Sequence, residues 1–293
     1  MPDDMQPGPT VRVRIVGGLG NQMFCAAAGM ALARRLGAEL EFGLDKINRQ
    51  SLRSYELGVF GLKARLIESE GWKFSRQWAP YHRLRGLFGP KTTIWRQPGH
   101  QFDPAFLALA GNVLLRGFFQ SPKYFDAIAP EVRAAFDLKP HLSKQGRQLA
   151  AAAAGNDSVA VHIRRGDYVS EAANAETFAT LGTDHYNRAL SLIARSVPRA
   201  RVFVVTDDIP AARTTLQEWP NATFAEGTTH FDDMHLISAC RHHIIANSTF
   251  SWWGAYLDPR PDGMTIAPKQ WFAGDKALNT CMDDLFPAAW TLA

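Results

Sequence analysis

Apolar and polar positions alternate from Val11 to Val16, with Arg12 and Arg14 in the polar places. A period of two predicts a strand. Met23–Leu36 is alanine-rich and helical by propensity, and Gly37 supplies its stop. Leu40–Phe42 follows as a second short strand. Val113–Gln120 is the next apolar run, with helix signals at Ser121–Phe125. Leu142–Ala154 is a further alanine-rich helix. Beyond it the pattern becomes regular. Strands are predicted at Val159–Ile163, Arg201–Thr206, Ala222–Phe224, His243–Ala246 and Met264–Ala267. Helices are predicted at Asp184–Val197, Ile209–Trp219, Phe231–Arg241 and Phe250–Leu257. Alternating strands and helices predict an α/β fold with parallel sheets. The change of composition near Pro140 divides the chain into an N-terminal α/β domain, 1–140, and a C-terminal one, 141–293.

Glu70–Arg96 breaks this rhythm. Trp72, Phe74, Trp78, Tyr81, Phe88 and Trp95 are interleaved with Lys73, Arg76, His82, Arg83, Arg85 and Lys91. An amphipathic helix with solvated cations accounts for such a stretch, and a sugar-stacking or polyanion surface is the alternative.

At 293 residues the chain buries a large core without staples. A net charge of +4 suits an anionic small ligand or an acidic surface and is too small to indicate nucleic acid by itself. Cys25, Cys240 and Cys281 are odd in number and lack metal-ligand spacing, which favours a reducing, cytoplasmic setting. The polar, proline-rich start is expected to be neither a signal peptide nor an anchor, and no apolar run in the sequence is long enough to span a bilayer. At most peripheral membrane contact is expected.

Chemistry-bearing residues gather where strands end. His162, Arg164, Arg165 and Asp167 close the Val159 strand, with His162 and Arg164 on one face and Arg165 on the other. Two guanidiniums at the end of a buried strand need an anion, or an internal partner such as Asp167. Asp207 and Asp208 close the Arg201 strand, and Asn247, Ser248 and Thr249 close the His243 strand and open a helix with Phe250 and Ser251. In a parallel sheet these ends share one edge, where ligands bind. A helix N-terminus with Ser248 and Thr249 is a ready anion site, or an ordinary cap. The two aspartates suit a guanine edge or ribose hydroxyls, with a divalent ion as the competing reading. The chain has no Asp-x-Asp pair and arginine already neutralises a diphosphate, so a metal-free site is expected. Near the N-terminus, Gly17-Gly-Leu-Gly-Asn-Gln22 links the first strand to its helix. It is neither a dinucleotide fingerprint nor a P-loop. Gly18 and Gly20 permit close approach of backbone to a ligand. Asn21 and Gln22 either contact a ligand or cap the helix.

These strings resemble the bacterial α-1,2-fucosyltransferase family. The matching stretches are Gly17-Gly-Leu-Gly-Asn-Gln-Met-Phe24, Gly117-Phe-Phe-Gln-Ser121, His162-Ile-Arg-Arg-Gly-Asp-Tyr168, Thr206-Asp-Asp208, His243 through Gly254, and Ala267-Pro-Lys-Gln-Trp-Phe272, in the family's order. The resemblance implies a GT-B arrangement of two α/β domains facing a cleft. It implies GDP-β-L-fucose as donor, held mainly by the C-terminal domain, and an acceptor oligosaccharide or glycolipid on the N-terminal side. Transfer to O-2 of a galactoside with inversion and without metal is the expected activity. Arg164 would hold the β-phosphate, Asp208 the guanine, and Asp167 would be the base or would hold Arg165. His162 is the third candidate at the reacting centre. The chain departs from the family at Cys25-Ala26, in the loop 169–182 and at Asp184-His-Tyr186, positions expected near the acceptor. A different GDP-sugar or linkage, and a non-catalytic carbohydrate- or nucleotide-binding protein, are the rival readings.

Overall fold

The structure is a computed structural model that describes residues 8–49, 53–68, 91–165 and 177–293. It divides into two compact units, Met1–Ala135 and Phe136–Ala293.

The first unit is a five-stranded parallel sheet in the order β3-β2-β1-β5-β4. Its strands are β1 (Thr10–Arg14), β2 (Glu39–Gly43), β3 (Arg65–Ile67), β4 (Thr92–Arg96) and β5 (Asn112–Arg116). The expected alternation holds in β1. Val11 and Val13 are fully buried, while Arg12 pairs with Glu41 (2.7 Å) and Arg14 with Asp45 (2.9 Å). Helix α1 (Leu19–Leu36) begins four residues before the predicted Met23, because Gly18 serves as its N-cap. It lies close against the sheet. A Cβ on Gly29 would meet Val13 Cγ1 at 2.9 Å, so only glycine fits there. Gly37 at φ 59° ends the helix as predicted. Strand β5 stops at Arg116, and Gly117–Gln120 form a loop instead of continuing it. Ser121 caps a short 3-10 turn, Pro122–Tyr124, and α2 (Ala129–Ala135) closes the unit. Most of the aromatic and basic stretch lies outside the described residues. Its described end is an edge strand, in which Trp95 packs on Phe106 (5.7 Å) and Phe119 (6.0 Å).

The second unit is a six-stranded parallel sheet in the order β11-β10-β9-β6-β7-β8. The strands are β6 (Ser158–Ile163), β7 (Arg201–Thr206), β8 (Thr223–Phe224), β9 (His242–Ile244), β10 (Thr265–Ala267) and β11 (Thr291–Leu292). Its described helices are α3 (Lys144–Ala153), α4 (Thr183–Ser196), α5 (Ile209–Thr215), α6 (His230–Ala239), α7 (Thr249–Tyr256) and α8 (Gly274–Asn279). Both faces of the sheet are covered, as parallel sheets require. Val159, Val161 and Ile163 of β6 share a core with Tyr186, Leu190 and Ile193 of α4. Ala160 faces the other way and shares a core with Leu236 and Ile237 of α6.

Candidate active site

Strand order reverses beside β6. From β6 the chain moves to β7 and β8 on one side, and then β9 returns to pair with β6 on the other. The carboxyl ends of β6 and β9 therefore flank a topological switch point, the position at which open α/β sheets bind ligands. Arg164 and Arg165 follow β6, and Asn247 to Ser251 follow β9.

The structure sorts the predicted residues. His162 is buried beside Phe250 (ring centroids 5.8 Å). Burial, and then the charge of Arg164, push its pKa down to about 3. Its Nδ1 is buried without a hydrogen-bond partner among the described residues. A neutral imidazole is poorly suited to taking a proton at so low a pKa, and its position beside Arg164 is that of a neighbour to the strand end. Arg164 shares its electrostatic neighbourhood with His162, whereas Arg165 acts on Tyr186 of α4. Asp167 lies outside the described residues.

Asp207 is a brace. Its Oδ1 accepts the backbone N–H of Arg165 at 2.8 Å and ties the end of β6 to the end of β7. Asp208 is the N-cap of α5, its Oδ1 accepting the Ala211 N–H at 3.0 Å. No group of three or more His, Cys, Asp or Glu side chains among the described residues is arranged to hold a metal ion.

The turn after β9 is built from inside. Asn247 is buried and donates Nδ2 to the carbonyls of Ala179 (2.8 Å) and Trp271 (2.9 Å). Its amide donors are thus committed to the scaffold. Ser251 is fully buried and donates to Ala246 O (3.4 Å) and Ser248 O (3.3 Å), so it too points inward. Ser248 is the N-cap of α7 and accepts the Phe250 N–H (3.3 Å). Thr249 and Phe250 are half-exposed on the first turn. Behind them Trp252 and Trp253 are fully buried, with Trp252 Nε1 donating to Leu285 O (2.9 Å). These anchors fix the helix whose free N–H groups and positive dipole end face the switch point.

The first unit repeats the arrangement. Its order reverses between β1 and β5, so the Gly17 turn and the Gly117–Gln120 loop flank a second switch point. Gly17 sits at φ 76°, and a Cβ there would lie 2.6 Å from Asn21 Nδ2. Neither Asn21 nor Gln22 caps α1, contrary to one expectation, since Gly18 holds that position. Gly20 is buried in the first turn. Gln22 is fully buried, donates to Gly17 O (3.0 Å) and Ser54 O (2.8 Å) and accepts the Glu56 N–H (2.9 Å). It is a strut rather than a ligand contact. Asn21 Oδ1 accepts from Gln120 Nε2 at 2.7 Å. Gln120 lies in the Gly117–Ser121 string that matched the family, but residue type alone did not single it out as a site residue.

The chain also has relatives among known proteins. The chain is 31% identical to the alpha-1,2-colitosyltransferase of Escherichia coli, over 96% of this chain and 97% of that protein. It is 29% identical to the O-antigen biosynthesis glycosyltransferase WbnK of Escherichia coli, over 91% and 96%. It is 26% identical to the galactoside alpha-(1,2)-fucosyltransferase 2 of Rattus norvegicus, over 84% of this chain and 66% of that protein. Residues 78–292 match glycosyl transferase family 11, and the chain belongs to that family of glycosyltransferases.

Proposed function

We propose that the enzyme transfers L-fucose from GDP-β-L-fucose to O-2 of a terminal galactoside, inverting the sugar carbon without a metal ion. The observation that carries this reading is the pairing, at one switch point, of Arg164 with the Ser248-capped start of α7. As the bond from the sugar to the diphosphate breaks, charge grows on the β-phosphate oxygens. A guanidinium and backbone N–H groups already in place stabilise that charge without reorganising. His162 Nδ1 and the Phe250 ring border the same place and suit the nucleotide. Asp208 contributes to the guanine, in addition to capping α5. In this reading the second unit holds the donor and the first unit the acceptor. Proton removal from the acceptor hydroxyl falls to Asp167, whose alternative task is to hold Arg165. Cys25 and Cys240 are buried thiols without a disulfide among the described residues, in keeping with a reducing site of action. No described helix is long and apolar enough to cross a membrane.

A second reading is favoured by the colitosyltransferase relative: the donor sugar is colitose, the 3-deoxy counterpart of fucose. One assay separates the two. Release of GDP is measured with GDP-fucose, GDP-colitose and GDP-mannose in the presence of a galactoside. Faster turnover of GDP-fucose supports the first reading, and preference for either other donor refutes it.

A further inference from the structure

We infer that the Phe118 ring, backed by His100, is the platform on which the galactoside ring of the acceptor stacks; this rests on the acceptor reading just given. Phe118 stands on the loop after β5, beside the β1 turn at the switch point of the first unit. The loop is tightly made. A Cβ on Gly117 would sit 2.6 Å from Gln97 Oε1, and that oxygen accepts the N–H groups of Phe118 (3.0 Å) and Phe119 (2.9 Å). Phe119 takes φ 54°, the one left-handed non-glycine residue among those described. For a bulky side chain that conformation is an outlier, and such strain persists where the surroundings impose it. Core packing accounts for Phe119, which is fully buried, stacked on Trp95 (6.0 Å, 22°) and edge-on to Tyr124 (5.4 Å).

Core packing does not account for Phe118. Its ring remains 40% exposed and forgoes the burial that a phenylalanine ordinarily gains. It lies parallel to the His100 ring, with centroids 6.4 Å apart and planes 7° from each other. The same edge carries amides. Gln120 is 7% exposed, gives its Nε2 to Asn21, and keeps a buried Oε1 without a partner among the described residues. A flat apolar surface beside a few fixed polar groups is how proteins hold sugars and other small polar ligands. In a galactoside the axial O-4 leaves the hydrogens of C-3, C-4 and C-5 on one face. That face lies flat on an aromatic ring, while the equatorial O-2 stays at the rim, free to react.

The test uses the full chain and methyl β-D-galactoside without donor. Saturation-transfer NMR on the wild type should place the strongest signals on H-3, H-4 and H-5. Those signals should fall several-fold in F118A and F118L and persist in F118W. In transfer assays F118A should raise the acceptor KM roughly threefold to tenfold, with kcat, donor hydrolysis and melting temperature unchanged. Equal saturation transfer in F118A and wild type, or none to the wild type, overturns the platform. The two readings fail separately. A wild type that binds the galactoside through Phe118 but does not transfer fucose refutes the donor reading alone. Fucose transfer with an unchanged acceptor KM in F118A refutes the platform alone.

Discussion

Arg164 carries the greatest chemical weight of any single residue in this account. Replacing it with alanine should lower turnover by about 10²–10³ while the protein stays folded, since a charge contact to the transition state is lost. Lysine should rescue poorly, because an ammonium lacks the planar fork that grips two phosphate oxygens. Turnover measured beside a melting curve checks both, and near wild-type rates in either variant would remove Arg164 from the phosphate site. Asp167→Asn examines proton removal. If Asp167 is the base, turnover falls by roughly 10²–10⁴ while GDP affinity and melting temperature hold. A joint fall in GDP affinity and melting temperature would instead assign Asp167 to holding Arg165. His162 shows why residue type alone misleads. An imidazole beside an arginine reads as an acid–base group in sequence, yet burial and that arginine's charge bring its pKa down to about 3.

At the scale of elements, the β9–α7 turn is held by Asn247, whose amide bonds two distant carbonyls. Asn247→Ala leaves both carbonyls short of a donor and should cost about 1–3 kcal/mol per group stranded, read as a lowered urea midpoint. An unchanged midpoint would mean that the turn is fixed by the Trp252 and Trp253 anchors alone. Strands β6 and β9 also carry a pH dependence. His162 and His243 are buried, and burial first of all brings their pKa values down from 6.5 to about 3 and about 4. For His243 the nearby charge of Asp258 opposes that shift. The folded state thus resists protonation that the unfolded chain accepts. Stability contributed this way is complete above pH 6.5 and is lost as pH falls toward 4 and below. The urea midpoint should be lower at pH 5 than at pH 7, and His243→Asn should flatten the difference; a midpoint that rises on acidification contradicts the assignment. Much of this architecture was legible in the sequence. The α/β alternation, β6, β7 and α7 and the shared edge followed from period and turn residues. The short strands β3 and β11 were not legible, because two or three residues carry no period. Hydrogen-bond commitments were not legible either. The inward bonds of Ser251 and Gln22 and the committed amide donors of Asn247 leave no trace in residue type. The loop at Gly117 was read as strand because Phe118 and Phe119 continue an apolar run.

At the scale of the whole molecule, each unit presents chemistry at the switch point of its own parallel sheet. In the second unit that chemistry is a cation and a helix start; in the first it is amides and an aromatic ring. This division suits a reaction with an anionic donor and a neutral sugar acceptor. In the proposed reading the donor's charge falls to arginine and backbone dipoles, so activity should survive a chelator. The most direct measurement combines these claims. The enzyme is incubated with GDP-fucose and a panel of β-galactosides in excess EDTA, and the product is analysed by NMR. The account predicts release of GDP and an α-fucosyl residue on O-2 of the galactose. A product linked elsewhere, no transfer from GDP-fucose, or activity that appears only when magnesium or manganese is restored would contradict it.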